Sequence, residues 1–133
     1  MAGSALIVVD MLNPYEHEDA DKLIESVEDV IAPIRSLVDR AGDESLFVVK
    51  ARHSIFYQTP LEYLLSQEEV SNVILTGQVT EQCILYSALD AYIRHLEVRV
   101  PPDAVAHIYE DLADAALRMM ERNMSADLTP ARG

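Results

Sequence analysis

Apolar and polar positions alternate in several distinct rhythms along the chain. "ALIVVD" (5–10) is an unbroken apolar run with β-branched residues and ends in a charge. It predicts a buried parallel strand. "MLNPYEHEDA" reads as a loop, punctuated by Asn13 and Pro14. Over residues 19–40, Leu23, Val27, Val30, Ile31, Ile34, Leu37 and Val38 follow helical spacing. Pro33 begins or kinks a turn inside that helix, and Gly42 is its expected stop. "SLFVVKA" (45–51) predicts a second strand. "TPLEYLLSQE" opens a helix with Thr59 as N-cap, Pro60 at its first position and Glu62 completing a capping box. "NVILTG" (72–77) predicts a third strand. In the helix "TEQCILYSALDAYIRHL", Ile84, Leu85, Ala88, Leu89, Tyr92 and Ile93 share one face. Tyr86, Asp90 and Arg94 fall on another. "LEVRVP" (96–101) predicts a fourth strand, "EDLADAALRMMERNM" a last helix, and "ADLTPA" a short final strand.

Strands alternating with helices imply an α/β protein: a Rossmann-like, mostly parallel sheet with helices on both faces, in three layers. In such sheets ligands bind beyond the carboxyl ends of the strands. Three reactive groups fall there. Asp10 ends the first strand, Lys50 ends the second, and "GQVTEQC" follows the third with the chain's only cysteine, Cys83.

Length and composition narrow the class. The 133 residues suit one domain, 1–133. A domain near this size buries roughly two-thirds of its extended-chain surface, enough for a core without staples. A single cysteine makes no internal disulfide and fits a reducing compartment. The N-terminal stretch lacks the basic region of a signal peptide. No segment approaches the ~18 apolar residues of a membrane span. The expected localisation is cytoplasmic. Ten basic against 23 acidic residues give a net charge of −13, which repels nucleic acid and anionic membranes. The expected partners are a small-molecule substrate and further copies of the chain, with no nucleic acid and no membrane.

Each candidate has a plain structural alternative. With Thr80 as N-cap, Cys83 occupies the third helical position, where N–H groups and dipole favour an anion. That lowers a thiol's pKa and makes it nucleophilic, yet free cysteines are also common as small buried hydrophobes. Position alone supports both equally. Lys50 either snorkels to the sheet rim or serves as a fixed cation. Asp10 either caps a turn or shuttles a proton. The four histidines, His17, His53, His95 and His107, have no metal-ligand spacing, so no metal and no cofactor is expected. Tyr15, His53, Phe56 and Tyr57 lie beside the candidate site, where they either wall a small planar substrate or cover the sheet edge.

These motifs, in this order, resemble the isochorismatase-like cysteine hydrolase superfamily. "ALIVVDMLNPY" looks like its first-strand motif, with the catalytic aspartate at Asp10. "LFVVKARHSIFYQTPLEYLL" looks like its lysine motif, with Lys50 followed by Ser54, Phe56 and Thr59. "VILTGQVTEQCILYSALDAY" looks like its nucleophile motif, with Cys83. The resemblance covers residues 4 to about 108. It implies an Asp10–Lys50–Cys83 triad and a non-proline cis peptide between Gln78 and Val79. It also implies an oxyanion hole from the N–H groups of Val79 and Cys83. Family members hydrolyse nicotinamide, carbamoyl compounds or ureido acids. The isochorismatases, which cleave a vinyl ether, typically lack the cysteine. The resemblance therefore implies covalent hydrolysis of a C–N bond. The alternatives are vinyl-ether hydrolysis and an inactive binding or scaffold protein.

One departure stands out. Family members carry a longer segment before the lysine strand, and in nicotinamidases it holds metal-binding residues. Here only "AGDES" lies between Arg40 and Leu46. Either a strand is missing there or residues are omitted from the sequence. The edges a deletion would uncover favour omission.

Overall fold

Ala5, Ile7 and Val9 face one hydrophobic cluster, while Leu6 between them faces another. This period-two alternation marks a strand with apolar contacts on both faces, although Val9 alone in it is fully buried and Val8 is 41% exposed. The computed structural model describes residues 3–11, 20–41 and 53–132. The first strand, β1 (Gly3–Val9), pairs in parallel with β2 (Val70–Gln78) from Gly3↔Val70 to Val9↔Gly77. Along its other edge β2 pairs first with β3 (Glu97–Arg99), then with β4 (Val105–Ala106), both parallel. A single parallel bridge between Arg99 and Asp127 extends the sheet where a short last strand is predicted. The predicted strand at 45–51 and the helix stop at Gly42 lie outside the described residues.

Helices cover both faces, giving the expected three-layer α/β fold. On one side lies α1 (Ala20–Ala41), whose Leu23, Val27, Val30, Ile34 and Leu37 pack against Leu6, Val79, Ala104 and Ala106. Ile31 and Val38, which the periodicity also allows in the core, are over 40% exposed. Pro33 sits inside the continuous span of this helix, on its buried side. On the other face lie α2 (Leu61–Gln67), α3 (Leu85–Ile93) and α4 (Glu110–Met124), contributing Leu65, Ala88, Ala91, Ala116 and Met120 to the larger core.

At the start of α2 one expectation fails, the capping box at Glu62. The helix runs from Leu61 with Pro60 before it, and Thr59 Oγ1 accepts the Leu61 N–H at 3.4 Å, the contact expected of Thr59 as a cap. The Thr59 hydroxyl donates to the Ile55 carbonyl, and the Glu62 carboxylate accepts from Arg94 at 2.6 Å instead of closing a capping box. At the other end of α3, His95 takes the left-handed position (φ 63°) usual for glycine. The Leu96 N–H then reaches the Ala91 carbonyl at 3.0 Å and the His95 N–H reaches Tyr92, which ends the helix in a Schellman turn.

The predicted face of α3 is also wrong in part. Ser87, Ala88 and Ala91 are its fully buried residues, following Ile84 in the turn before it, whereas Leu89, Tyr92 and Ile93 are 46–59% exposed. The small residues face inward because α3 packs close against α4 and the sheet. The large ones have no room there.

Candidate active site

Val9 and Gly77 are partners in the β1–β2 ladder, so the next residues, Asp10 and Gln78, emerge side by side at the carboxyl edge of the sheet. Gly77 permits this closeness. Its φ is +106°, and a Cβ there would stand 2.1 Å from the Val9 carbonyl oxygen. Asp10 also turns out of the strand with a left-handed backbone (φ 54°). The Gln78 side-chain amide donates to the Asp10 carbonyl and ties the two strand ends together. Gln78 is itself 1% exposed.

The Gln78–Val79 peptide bond is cis. Val79 caps the following turn in extended conformation, with no side-chain cap. Thr80 is thus not the N-cap the spacing predicts. It is the first residue of a π-helical turn, Thr80–Ile84, and its hydroxyl donates to the Ala106 carbonyl at 2.9 Å. The wide turn is visible in the Val79 carbonyl, which accepts from Ile84 N–H at 3.0 Å as well as from Gln82 N–H at 3.1 Å. Single π-turns often mark functional sites. Cys83 lies in this turn, one position later than the capped-helix reading gives. It is 7% exposed and belongs to the same cluster as Val9, Ile55, Phe56 and Leu75. Strand pairing and the π-turn therefore bring Asp10 and Cys83 to one edge of the sheet. Lys50 and Tyr15 lie outside the described residues.

The other predicted pocket residues lie in the segment leading to α2. Phe56 is 6% exposed and part of the core, with the Arg94 guanidinium 4.6 Å from its ring centre. Tyr57 is 51% exposed. His53 stacks edge-on against Tyr86, with ring centres 5.6 Å apart. The segment is held to α3 by Ser87, whose Oγ accepts the Ile55 N–H at 3.0 Å, and Ser54 Oγ accepts the Phe56 N–H at 3.2 Å.

Sequence reasoning missed Glu81, which lies in the π-turn itself. Glu81 Oε2 accepts from Ile108 N–H at 3.2 Å and from Tyr109 N–H at 2.6 Å. A glutamate in the first turn of a helix reads from sequence as an ordinary partner of the dipole, which concealed its long-range contacts. A cleft of about 740 Å³ opens elsewhere, lined by Asn72, Tyr92, Glu97 and Arg99 at the amino ends of β2 and β3. That is the wrong end of a parallel sheet for chemistry, so the strand-end geometry outweighs its size. Among the described residues, no group of three or more His, Cys, Asp or Glu could hold a metal ion. No described helix is long and apolar enough to cross a membrane.

Comparison with known proteins agrees with the family resemblance. The model of the isochorismatase domain matches residues 42–132, and the chain belongs to the isochorismatase-like hydrolase family. The isochorismatase family protein YaaI of Bacillus subtilis (strain 168) is 27% identical over 170 aligned positions, covering 96% of this chain and 94% of that one. That alignment is longer than the 133-residue chain, so YaaI carries segments for which this chain has no counterpart. A cysteine hydrolase from Pseudomonas syringae pv. phaseolicola 1448A superposes with a TM-score of 0.84 at 19% identity, over 97% of this chain and 89% of that one. The nicotinamidase of Staphylococcus aureus superposes with a TM-score of 0.80 at 23% identity, over 96% of this chain and 100% of that one. At these identities the two superpositions establish the shared fold.

Proposed function

We propose that the protein is a cysteine hydrolase that cleaves the C–N bond of a small carboxamide, carbamoyl or ureido compound. The observation that carries this reading is a thiol in the turn leaving β2, at the same sheet edge as the aspartate that leaves β1. In a family whose members include hydrolases, that pairing supplies a nucleophile and a proton acceptor. Lys50 enters by motif position, as the cation that favours the thiolate.

The reaction runs in two halves. Asp10 takes the Cys83 thiol proton, and the thiolate attacks the carbonyl carbon. The N–H groups of Val79 and Cys83 serve as oxyanion donors, each typically worth about 3–4 kcal/mol of transition-state stabilisation. The C–N bond breaks as Asp10 returns its proton to the leaving nitrogen, which departs as ammonia or amine. The acyl group remains on Cys83 as a thioester. Asp10 then takes a proton from water, the resulting hydroxide attacks the thioester, and the C–S bond breaks. The carboxylic acid leaves and the proton returns to the thiol. No step requires a metal. The active species is taken to be a homo-oligomer.

An ammonia-release assay across a panel of small amides and ureido acids, with Cys83→Ala alongside, tests this reading. Turnover of at least one compound, lost in the alanine variant, is the expected result. Turnover that survives the substitution overturns covalent catalysis and points to the vinyl-ether type of chemistry instead. An alkylation midpoint at the free-cysteine pKa of about 8.5, with no turnover, points to an inactive binding protein.

A further inference from the structure

Residues 106–109, which join β4 to α4, lie across the nucleophile turn and are held by side chains from two elements. Thr80 Oγ1 donates to the Ala106 carbonyl at 2.9 Å. From α1, Ser26 Oγ accepts the His107 N–H at 2.8 Å. Glu81 Oε2 takes both the Ile108 and Tyr109 N–H groups. Tyr109 is also the N-cap of α4 and has no side-chain cap bond of its own. The Glu81 carboxylate thus stands at the start of α4, where unpaired N–H groups and the helix dipole favour an anion. Its second oxygen, Oε1, is buried with no hydrogen-bond partner among the described residues. From the far side, Lys22 Nζ lies 4.2 Å from the centre of the Tyr109 ring.

Glu81 is two residues from Cys83 in the same π-turn. The carboxylate therefore joins the turn that carries the thiol to the start of α4. We propose that Glu81 is a positioning residue for Cys83, locking the nucleophile turn to residues 106–109 through charge-assisted hydrogen bonds. This rests on the reading of Cys83 as the nucleophile. A glutamine keeps an acceptor but loses the charge. An alanine loses both.

Hydrogen exchange on the full chain, read for residues 80–84 and 106–110 with β1 as internal reference, tests the lock directly. Cys83 alkylation against pH, in the same variants, tests its consequence. Glu81→Ala is expected to speed exchange in both segments about tenfold, and Glu81→Gln about threefold, because bonds to charged acceptors are the stronger ones. Exchange in β1 stays unchanged, and the pH midpoint of alkylation moves in step with exchange across the variants. Should the alanine variant not fold, the glutamine variant carries the test. Exchange that rises at 106–110 but not at 80–84 overturns the proposal, since Glu81 would then only cap α4. So does faster exchange in both segments with an unmoved alkylation profile. If the parent thiol reacts like that of the unfolded chain, the nucleophile reading fails, and the exchange at 80–84 still decides whether Glu81 locks the turn.

Discussion

Replacing Gly77 by alanine attacks the fold and the site at one point. The added Cβ would lie 2.1 Å from the Val9 carbonyl oxygen, 2.7 Å from its nitrogen and 2.9 Å from its carbonyl carbon. All three are backbone atoms of the paired strand, so no side-chain rotation relieves the overlap. The strands must separate, or the ladder must break at Val9↔Gly77. Two costs add. Holding alanine at φ +106° costs about 1–2 kcal/mol by analogy with other left-handed backbone. Overpacking adds about 1–3 kcal/mol. The expected loss is about 3 kcal/mol, which for a domain of this length lowers Tm by about 10 °C. Because Asp10 and Gln78 directly follow the clash, Cys83-dependent turnover should fall further than the loss of folded protein explains. Thermal melts, with activity measured well below the transition, read both effects. A Gly77→Ala protein that melts within about 2 °C of the parent and keeps its turnover would refute the reasoning.

Three further outcomes follow from the packing. Ser87→Ala leaves the buried Ile55 N–H without its acceptor and should cost about 1–3 kcal/mol, read as a lower urea midpoint; an unchanged midpoint contradicts the contact. Met120→Ala empties a fully buried site on α4 and should cost about 2–5 kcal/mol, whereas a loss below about 1 kcal/mol would mean that α4 packs loosely. The Asp127 carboxylate accepts from the Thr129 hydroxyl and N–H, which holds its pKa below the ordinary aspartate value, with a smaller contribution from Arg99. A depressed folded pKa adds stability above the unfolded value near 3.9, and that stability is lost as pH falls through the folded value. Asp127→Asn should therefore lower the urea midpoint slightly at pH 7, with the gap closing as pH falls below the unfolded aspartate value. A gap that stays constant over that range contradicts it.

The parts of the molecule that sequence revealed are those governed by burial over several residues. The apolar run 5–10 and the 3.6-residue stripe of α1 announce themselves because every turn repeats the signal. Asp10 and Cys83 could be placed at one sheet edge because parallel topology leaves strand ends together. Features set by a single long-range contact stayed hidden. Thr80 is a good N-cap by type, but its hydroxyl donates to the Ala106 carbonyl. Glu62 fits a capping box, yet Arg94 lies closer to hand. The two residues of β4 are too few to show a period, and the π-turn at Cys83 has no spacing signature. Leu89, Tyr92 and Ile93 misled because an apolar residue on a helix does not reveal whether a neighbour has space for it.

Intact-mass spectrometry after rapid acid quench tests the central claim most directly. With a compound that releases ammonia or amine, the account predicts a mass gain equal to the acyl group, located on the peptide that contains Cys83. The gain should be absent from Cys83→Ala, which should also release no ammonia. Equal ammonia release by parent and Cys83→Ala, with no adduct on either, would contradict it.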